Sequence, residues 1–375
     1  MTDAWLDAKE RTKLDTPLVL IDLDRVDANI ERMAGLMRDR GVALRPHAKT
    51  HKSVEVARRQ IAAGAVGLSV ATIGEAEVFA DAGIEDLFIA YPVLAVGPKA
   101  ERLRRLAARC RLSVGADSVE GVRALAAAFR GASAAAGVLI EVDSGGRRSG
   151  VLPEDAGGLA RHAVASGLQV AGVFTHAGQS YAGPEHGVVA ADEEVSGLAA
   201  AAESLRVVGV EPKIVSAGST PTAVRSARPP VTEERPGTYV FGDCQQAALA
   251  GQTVDGADAV DTVAIVVAAT VVSHGTRGGF LVDAGAKILG KDVAPFLRGH
   301  GAVLGYPHNV LARINDHHGM GEVPTGTALP AIGDVVWIVP NHACPVVNLV
   351  DELTVVQGGR IVDRWRVDRR DWRRC

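Results

Sequence analysis

What most constrains this chain is the regularity of its first two thirds. From Val42 to Phe241, short apolar runs alternate with Ala-rich segments of helical spacing. Strands are read at Val42–Arg45, Val66–Val70, Leu87–Ala90, Leu112–Gly115, Val138–Val142, Val170–Thr175, Lys213–Ser216 and Tyr239–Phe241, and helical segments end at signals such as Gly64 and Gly83. Eight strand–helix units in about 200 residues predict an α/β fold, a parallel (β/α)8 barrel of TIM type. A doubly wound open sheet is the competing arrangement. A further strand, Leu18–Leu23, precedes these units and is expected to leave the barrel and pair with the C-terminal part. Asp24 fits an N-cap for the helix that follows, with Asp27 three residues on.

After about Ala248 the helical periodicity stops. β-rich runs follow at Val263–Val272, Phe280–Val282, Leu311–Ile314, Val335–Val339, Val346–Val350 and Leu353–Val356, most of them separated by Gly-containing turns. The expected organisation is a barrel over residues 24–248 and an all-β domain over 249–375, the latter joined by the N-terminal strand within 1–23. The basic end, Arg364 to Arg374, reads as a solvated tail or edge.

Composition excludes several classes of function. The 375 residues are 47 % apolar and 22 % charged, with a net charge of −4, so nothing draws the chain to nucleic acid or anionic lipid. No membrane span and no signal peptide are expected. Four cysteines, at 110, 244, 344 and 375, form no CxxC and fit a reducing cytoplasm.

In a barrel of this kind the active site forms at the carboxyl ends of the strands. Polar clusters fall there. The first strand runs into Arg45-Pro46-His47-Ala48-Lys49-Thr50-His51-Lys52, where a lysine desolvated or held beside other cations becomes able to form a Schiff base. Glu141–Arg148 closes the fifth strand, Thr175–Tyr181 the sixth and Ser216–Thr222 the seventh. The seventh cluster, with small residues, Gly218 and several hydroxyls, suits a phosphate through backbone N–H groups and side-chain donors. One ligand with an aldehyde for the lysine and a phosphate for this loop is pyridoxal phosphate. A sugar phosphate held by a Schiff-base lysine fits the same two features. In the β domain, His342 and Cys344 stand two apart; on a strand they would share a face and could grip one ion such as Zn²⁺, with water or substrate completing the shell. Asn315-Asp316-His317-His318-Gly319 could add an imidazole, and Asp283 is a further candidate.

Taken together, the Arg45–Lys52 stretch, Gly218-Ser219-Thr220-Pro221, Arg235-Pro236-Gly237-Thr238-Tyr239, Asp283-Ala284-Gly285-Ala286-Lys287, and His342/Cys344 followed by Asn348-Leu349 carry a resemblance. The chain resembles the fold-type III pyridoxal-phosphate enzymes of D-3-hydroxy amino acids: D-serine dehydratase, D-threo-3-hydroxyaspartate dehydratase and D-threonine aldolase, with an alanine-racemase-like barrel. The resemblance runs from Thr16 to about Trp365. It implies Lys49, not Lys52, as the Schiff-base lysine, and Gly218, Ser219 and Thr220 at the phosphate. Arg148, Tyr181 and Tyr239 would lie beside the cofactor ring or substrate, with His176, Gln179 and His318 toward the substrate. His342 and Cys344 would hold zinc or another divalent cation such as manganese. His-x-Cys resembles the dehydratases and His-x-Asp the aldolases, so the resemblance implies a lyase releasing a 2-oxo acid and ammonia from a small D-amino acid. An aldolase giving glycine and an aldehyde is the alternative, and a racemase or a non-catalytic cofactor carrier stands further off. One departure is His317, where the family often has an acidic residue. Enzymes of this type resemble head-to-tail homodimers.

Overall fold

In a computed structural model, the structure describes residues 5–254, 261–275, 278–306, 310–322 and 328–368. Residues 369–375, most of the basic end, lie outside the described residues. The chain divides into two units. One combines the described chain up to Glu31, the short piece Thr50–Glu55 and the described residues from Thr238 onward; the other runs over Arg32–Lys49 and Val56–Gly237.

The apolar run at Leu18 becomes strand β1 (Leu18–Asp22). The next helix, Leu23–Asp39, starts before Asp24, because Asp22 Oδ1 takes the Arg25 N–H at 3.1 Å and acts as the cap. The barrel strands are β2 (Ala43–Leu44), β3 (Leu68–Val70), β4 (Asp86–Pro92), β5 (Arg111–Ala116), β6 (Gly137–Glu141), β7 (Gln169–Phe174), β8 (Ile214–Ala217) and β9 (Glu233–Glu234). They form one parallel eight-stranded sheet in the order β2-β9-β8-β7-β6-β5-β4-β3. The ring closes through a parallel bridge between His47 and Ser69, with Ala48 N–H on Ser69 O and Ser69 N–H on Pro46 O, both 2.8 Å. The basic stretch is therefore the barrel's own seam. Helices between the strands are locally encoded. Thr72 Oγ1 accepts the Glu75 N–H at 3.0 Å while Glu75 Oε2 takes the Ala71 N–H at 2.7 Å, and Gly64 and Gly83 end helices at positive φ.

The eighth strand is not where the apolar pattern put it. Thr238–Val240 is a 3-10 turn carrying Tyr239, and the strand is the dipeptide Glu233–Glu234. Two adjacent acids make a poor strand signal. Here Arg45 and Ser216 pair Glu233, and Ser226 donates to Glu234 at 2.7 Å.

The other unit holds β10 (Ile265–His274), β11 (Phe280–Val282), β12 (Ala302–Val303), β13 (Val310–Ile314), β14 (Gly319–Glu322), β15 (Val335–Val339), β16 (Glu352–Gln357) and β17 (Arg360–Arg366). With β1 they form a nine-stranded sheet, order β11-β14-β13-β12-β15-β10-β1-β16-β17, in which β10 also pairs with β11 and closes an antiparallel barrel. β1 lies antiparallel to β10 and parallel to β16. Its Leu20 joins Val266, Ala268, Trp337, Val339 and Val356 in the core. The run at Val346–Val350 is not a strand: Ala343–Leu349 is a helix with His342 as its N-cap residue. Pro345 sits in the first turn, where a helix needs no N–H, and a five-residue apolar run is too short to separate the two periods.

Candidate active site

Each cation of the Arg45–Lys52 stretch has its own setting. Arg45 is buried, with Nε 2.7 Å from Glu233 Oε2 and Nη1 2.7 Å from Asp86 Oδ1. Burial works against its charge, but the two carboxylates outweigh it and raise its pKa. Lys52, at φ +46°, donates from Nζ to Asn348 Oδ1 at 2.8 Å. Lys49 follows the seam at the mouth of β2, half-buried, its N–H 3.3 Å from His47 Nδ1.

Within the same unit, a cavity of about 210 Å³ opens at the carboxyl ends of β6 and β7, lined by Glu141, Asp143, Arg148, Ser149, His176 and Tyr181 among others. The rings of His176 and Tyr181 lie 6.2 Å apart. His176 Nδ1–H donates to Gly218 O at 3.0 Å. Burial and then the charge of Lys49, with Arg148 and Arg235 behind it, push the His176 pKa down to about 3, so the imidazole is neutral across the physiological range. Gln179 stands beside the cavity rather than in its wall; its Nε2 donates to Ser144 O at 2.8 Å and Glu193 at 3.0 Å, tying the β6 and β7 loops together. Arg148 is exposed, its Nη2 3.8 Å from Glu141 Oε1. Glu141 is buried, its pKa raised by that burial; Oε1 accepts from Ser149 Oγ at 2.9 Å, and Oε2 has no hydrogen-bond partner among the described residues.

The loop after β8 is shaped by one close approach. Gly218 has φ +143°, and a Cβ there would lie 2.5 Å from Arg235 N. Its N–H donates to Glu194 Oε1 at 2.9 Å, so it is engaged by a carboxylate. Ser219 Oγ meets Thr222 Oγ1 at 2.9 Å and Ser180 Oγ at 3.2 Å, a hydroxyl cluster drawn from two loops. Thr220 beside it is half-buried. Beneath lie three buried carboxylates, Glu194, Glu233 and Glu234, and the buried Arg235. Arg235 donates to Ser216 Oγ at 2.6 Å and to Thr175 O, with the rings of Phe174 and Phe88 at 5.4 and 5.8 Å. Burial raises both Glu194 and Glu234, the second further because it faces the first.

In the other unit His342 and Cys344 come from a helix N-terminus, not from a strand. His342 Nδ1–H donates to Asp292 Oδ2 at 3.0 Å. Cys344 Sγ lies 3.3 Å from Thr50 Oγ1 and 3.9 Å from Thr238 Oγ1. Burial pulls the His342 pKa down, but Cys344, Asp243 and Asp292 outweigh it and hold it up at about 9. Asp243 is fully buried; Oδ1 takes the Gln246 N–H at 2.7 Å and Oδ2 the Ala343 N–H at 2.9 Å, between the two side chains of the pair. Tyr239, in the 3-10 turn, is buried in this unit. His318 is exposed, at the turn into β14, and no set of three or more His, Cys, Asp or Glu able to hold a metal occurs among the described residues. Asp283 is structural: Oδ2 accepts from Thr16 Oγ1 at 2.5 Å and Oδ1 from Thr270 N at 2.8 Å.

The residues present fit the two groups that the sequence suggested. A polar cavity whose buried Glu141 oxygen is unpartnered among the described residues suits a polar cofactor. An imidazole and a thiol two residues apart on one helix start, with the ring bonded to a carboxylate, form a donor pair suited to a divalent metal. Glu141, Ser180 and Thr222 stand in the sequence only as members of their strand-end clusters, and Glu194 and Asp292 carry no sequence signal, because both lie far in sequence from the motifs they touch.

Among the described residues, no helix is long and apolar enough to cross a membrane. Family models match "Alanine racemase, N-terminal domain" over residues 21–245 and "Putative serine dehydratase domain" over 264–356. The chain is 40 % identical to D-threo-3-hydroxyaspartate dehydratase of Delftia sp. (strain HT23), covering 88 % of this chain and 91 % of the relative. It is 34 % identical to D-threonine aldolase of Arthrobacter sp., covering 96 % and 94 %. The solved Delftia dehydratase superposes with a TM-score of 0.87 at 36 % identity over 96 % of this chain and 98 % of that one, and a mutant of it has been solved in a metal-free form. The chain belongs to the fold-type III pyridoxal-phosphate enzymes with an alanine-racemase-type N-terminal domain, the family of these dehydratases and aldolases.

Proposed function

We propose that this chain is a pyridoxal-phosphate- and metal-dependent dehydratase that converts a D-3-hydroxy amino acid, such as D-threo-3-hydroxyaspartate or D-serine, to a 2-oxo acid and ammonia. The observation that carries this reading is the thiol at 344, held beside His342. When bound, the cofactor supplies an electron sink at the substrate's α-carbon and the divalent metal, zinc or manganese, supplies Lewis acidity toward a hydroxyl. Lys49 holds the cofactor's aldehyde and is the amine that takes the α-proton. Ser219 and Thr220 give hydroxyls to the phosphate, while Gly218 supplies the tight turn that presents them. Neutral His176 and Tyr181 wall the cofactor ring, and Arg148 faces an anionic oxygen of the cofactor or substrate. Gln179 braces this wall. His342 and Cys344 hold the metal; Tyr239 and His318 stand as lesser candidates for substrate contact. Loss of the α-proton and the β-hydroxide leaves an enamine, and its hydrolysis gives the 2-oxo acid and ammonia. We take the enzyme to be a cytoplasmic homodimer.

The similarity to the Arthrobacter aldolase favours one other reading, in which the Cα–Cβ bond breaks and glycine and an aldehyde form. Incubating the protein, loaded with cofactor and Zn²⁺ or Mn²⁺, with D-threo-3-hydroxyaspartate, D-serine and D-threonine separates the two. A 2-oxo acid formed with an equal amount of ammonia is expected; glycine as the main product would replace the dehydratase with the aldolase.

A further inference from the structure

The metal pair stands on a helix start that a separate loop holds in three ways. His342 Nδ1 meets Asp292 Oδ2 at 3.0 Å. Its neighbour Asn341, itself buried, donates from Nδ2 to the main-chain oxygens of Asp292 at 3.0 Å and Gly299 at 2.9 Å. Gly290, at φ +74°, ends the helix Ala286–Leu289 where a side chain would come within 3.2 Å of Pro345 Cβ. The loop that carries Asp292 is thus fitted against residues 341–345 by a side-chain bond, by the main chain and by close packing.

A carboxylate accepts, so Nδ1 carries a proton, and Nε2, which gives up its own proton when a metal binds, is the atom left to ligate. Ligating histidines rely on such an outer partner to fix both tautomer and ring orientation. We infer that Asp292 is a positioning residue of the metal pair: it sets the His342 tautomer that binds through Nε2 and holds the ring where Nε2 and Cys344 Sγ converge on one ion. This rests on the assignment of His342 and Cys344 as the metal pair. The carboxylate itself is half-exposed and needs no burial to act, because its task is orientation rather than charge neutralisation.

The test is metal affinity, read by competition against a chromophoric chelator on full-length, cofactor-loaded protein first stripped of metal. Zn²⁺ gives the dissociation constant, and Co²⁺ reports the thiolate through its charge-transfer band. Asp292→Ala is expected to weaken Zn²⁺ binding about 10- to 100-fold, the usual cost of losing an outer partner. Asp292→Asn, which keeps an acceptor, is expected to lose less. Both should keep the cobalt–thiolate band, the cofactor absorbance and the thermal midpoint of the metal-free protein. Wild-type affinity in Asp292→Ala would reduce the contact to a surface ion pair and overturn the inference. So would a loss as large as that of His342→Ala, which would make Asp292 a ligand, or a lowered midpoint of the metal-free protein, which would make it general support. If His342→Ala and Cys344→Ala leave affinity unchanged, the pair itself fails, and the inference with it.

Discussion

The lysine end of the parallel barrel and the His342–Cys344 turn of the antiparallel unit solve the same problem differently. In the barrel the candidate groups arrive at the ends of four strands: Lys49 after β2, Glu141 as the last residue of β6 with Arg148 beyond it, His176 and Tyr181 after β7, Ser219 and Thr220 after β8. Their positions are set by register, and beneath them sits a buried network of carboxylates and guanidiniums. In the antiparallel unit the two metal candidates are near neighbours on one helix start, and what is assembled from afar is their support: Asp243 on the backbone between them, Asp292 on the ring, Thr50 on the sulfur. The barrel brings distant reactive groups together on a rigid frame, whereas the turn keeps a local pair and recruits distant groups to aim it.

That contrast can be broken at its strongest point first. Lys49→Ala should abolish the cofactor's bound absorbance and cut turnover by about 10²- to 10⁴-fold, the scale of losing a positioned base. Lys52→Ala, which removes the bond to Asn348, should keep the absorbance. A spectrum titration on the two variants decides, and loss of the band in Lys52→Ala alone would exchange their roles. Arg45→Ala tests the frame rather than the chemistry. It leaves buried Glu233 without its guanidinium and Asp86 with Arg111 in place of two partners, and should cost about 3–5 kcal/mol in denaturant unfolding. A loss under 1 kcal/mol would mean that the barrel does not depend on this network.

Smaller effects sharpen the comparison. Asp243→Ala strips the acceptors from the Gln246 and Ala343 N–H groups, for about 1–3 kcal/mol of stability and a weaker metal site. Unchanged metal affinity would show that the turn aims itself. Last is pH. Glu194 and Glu234 are raised in the folded state above the unfolded carboxylate value. The folded protein therefore keeps a proton that the unfolded chain releases, so their contribution is fully present below the unfolded carboxylate pKa and is lost as pH rises through the raised values. Glu234→Gln should flatten that decline, seen as a smaller fall in unfolding free energy as pH rises above the unfolded carboxylate range. A profile parallel to wild type would show that Glu234 does not carry the retained proton.

Much of the barrel was legible because its signals are local and periodic. Seven strands lie close to their expected positions, and the strand-end clusters mark the stretches that hold Lys49, Arg148, His176 and Ser219, whose individual roles come from the resemblance. The eighth strand escaped because Glu233 and Glu234 owe their place in the sheet to Arg45, Ser216 and Ser226, partners remote in sequence. The helix at His342 escaped because Val346 and Val347 are both buried against the core, which writes an apolar run with no period. Gly218 was found for its phosphate-type loop, while its N–H proved to serve Glu194. The spacing of His342 and Cys344 was readable; Asp292, fifty residues before His342, was not.

The proposed dehydratase chemistry needs a metal at His342 and Cys344 to lose the β-hydroxyl. The direct measurement is the rate of 2-oxo acid formation from D-threo-3-hydroxyaspartate by cofactor-loaded protein before chelation, after it, and after Zn²⁺ or Mn²⁺ is restored, in wild type and Cys344→Ala. The predicted result is a rate that collapses on chelation, returns with metal in wild type, and does not return in Cys344→Ala while the cofactor absorbance persists in both. Full activity in the chelated enzyme, or metal-restored activity in Cys344→Ala equal to wild type, would contradict it.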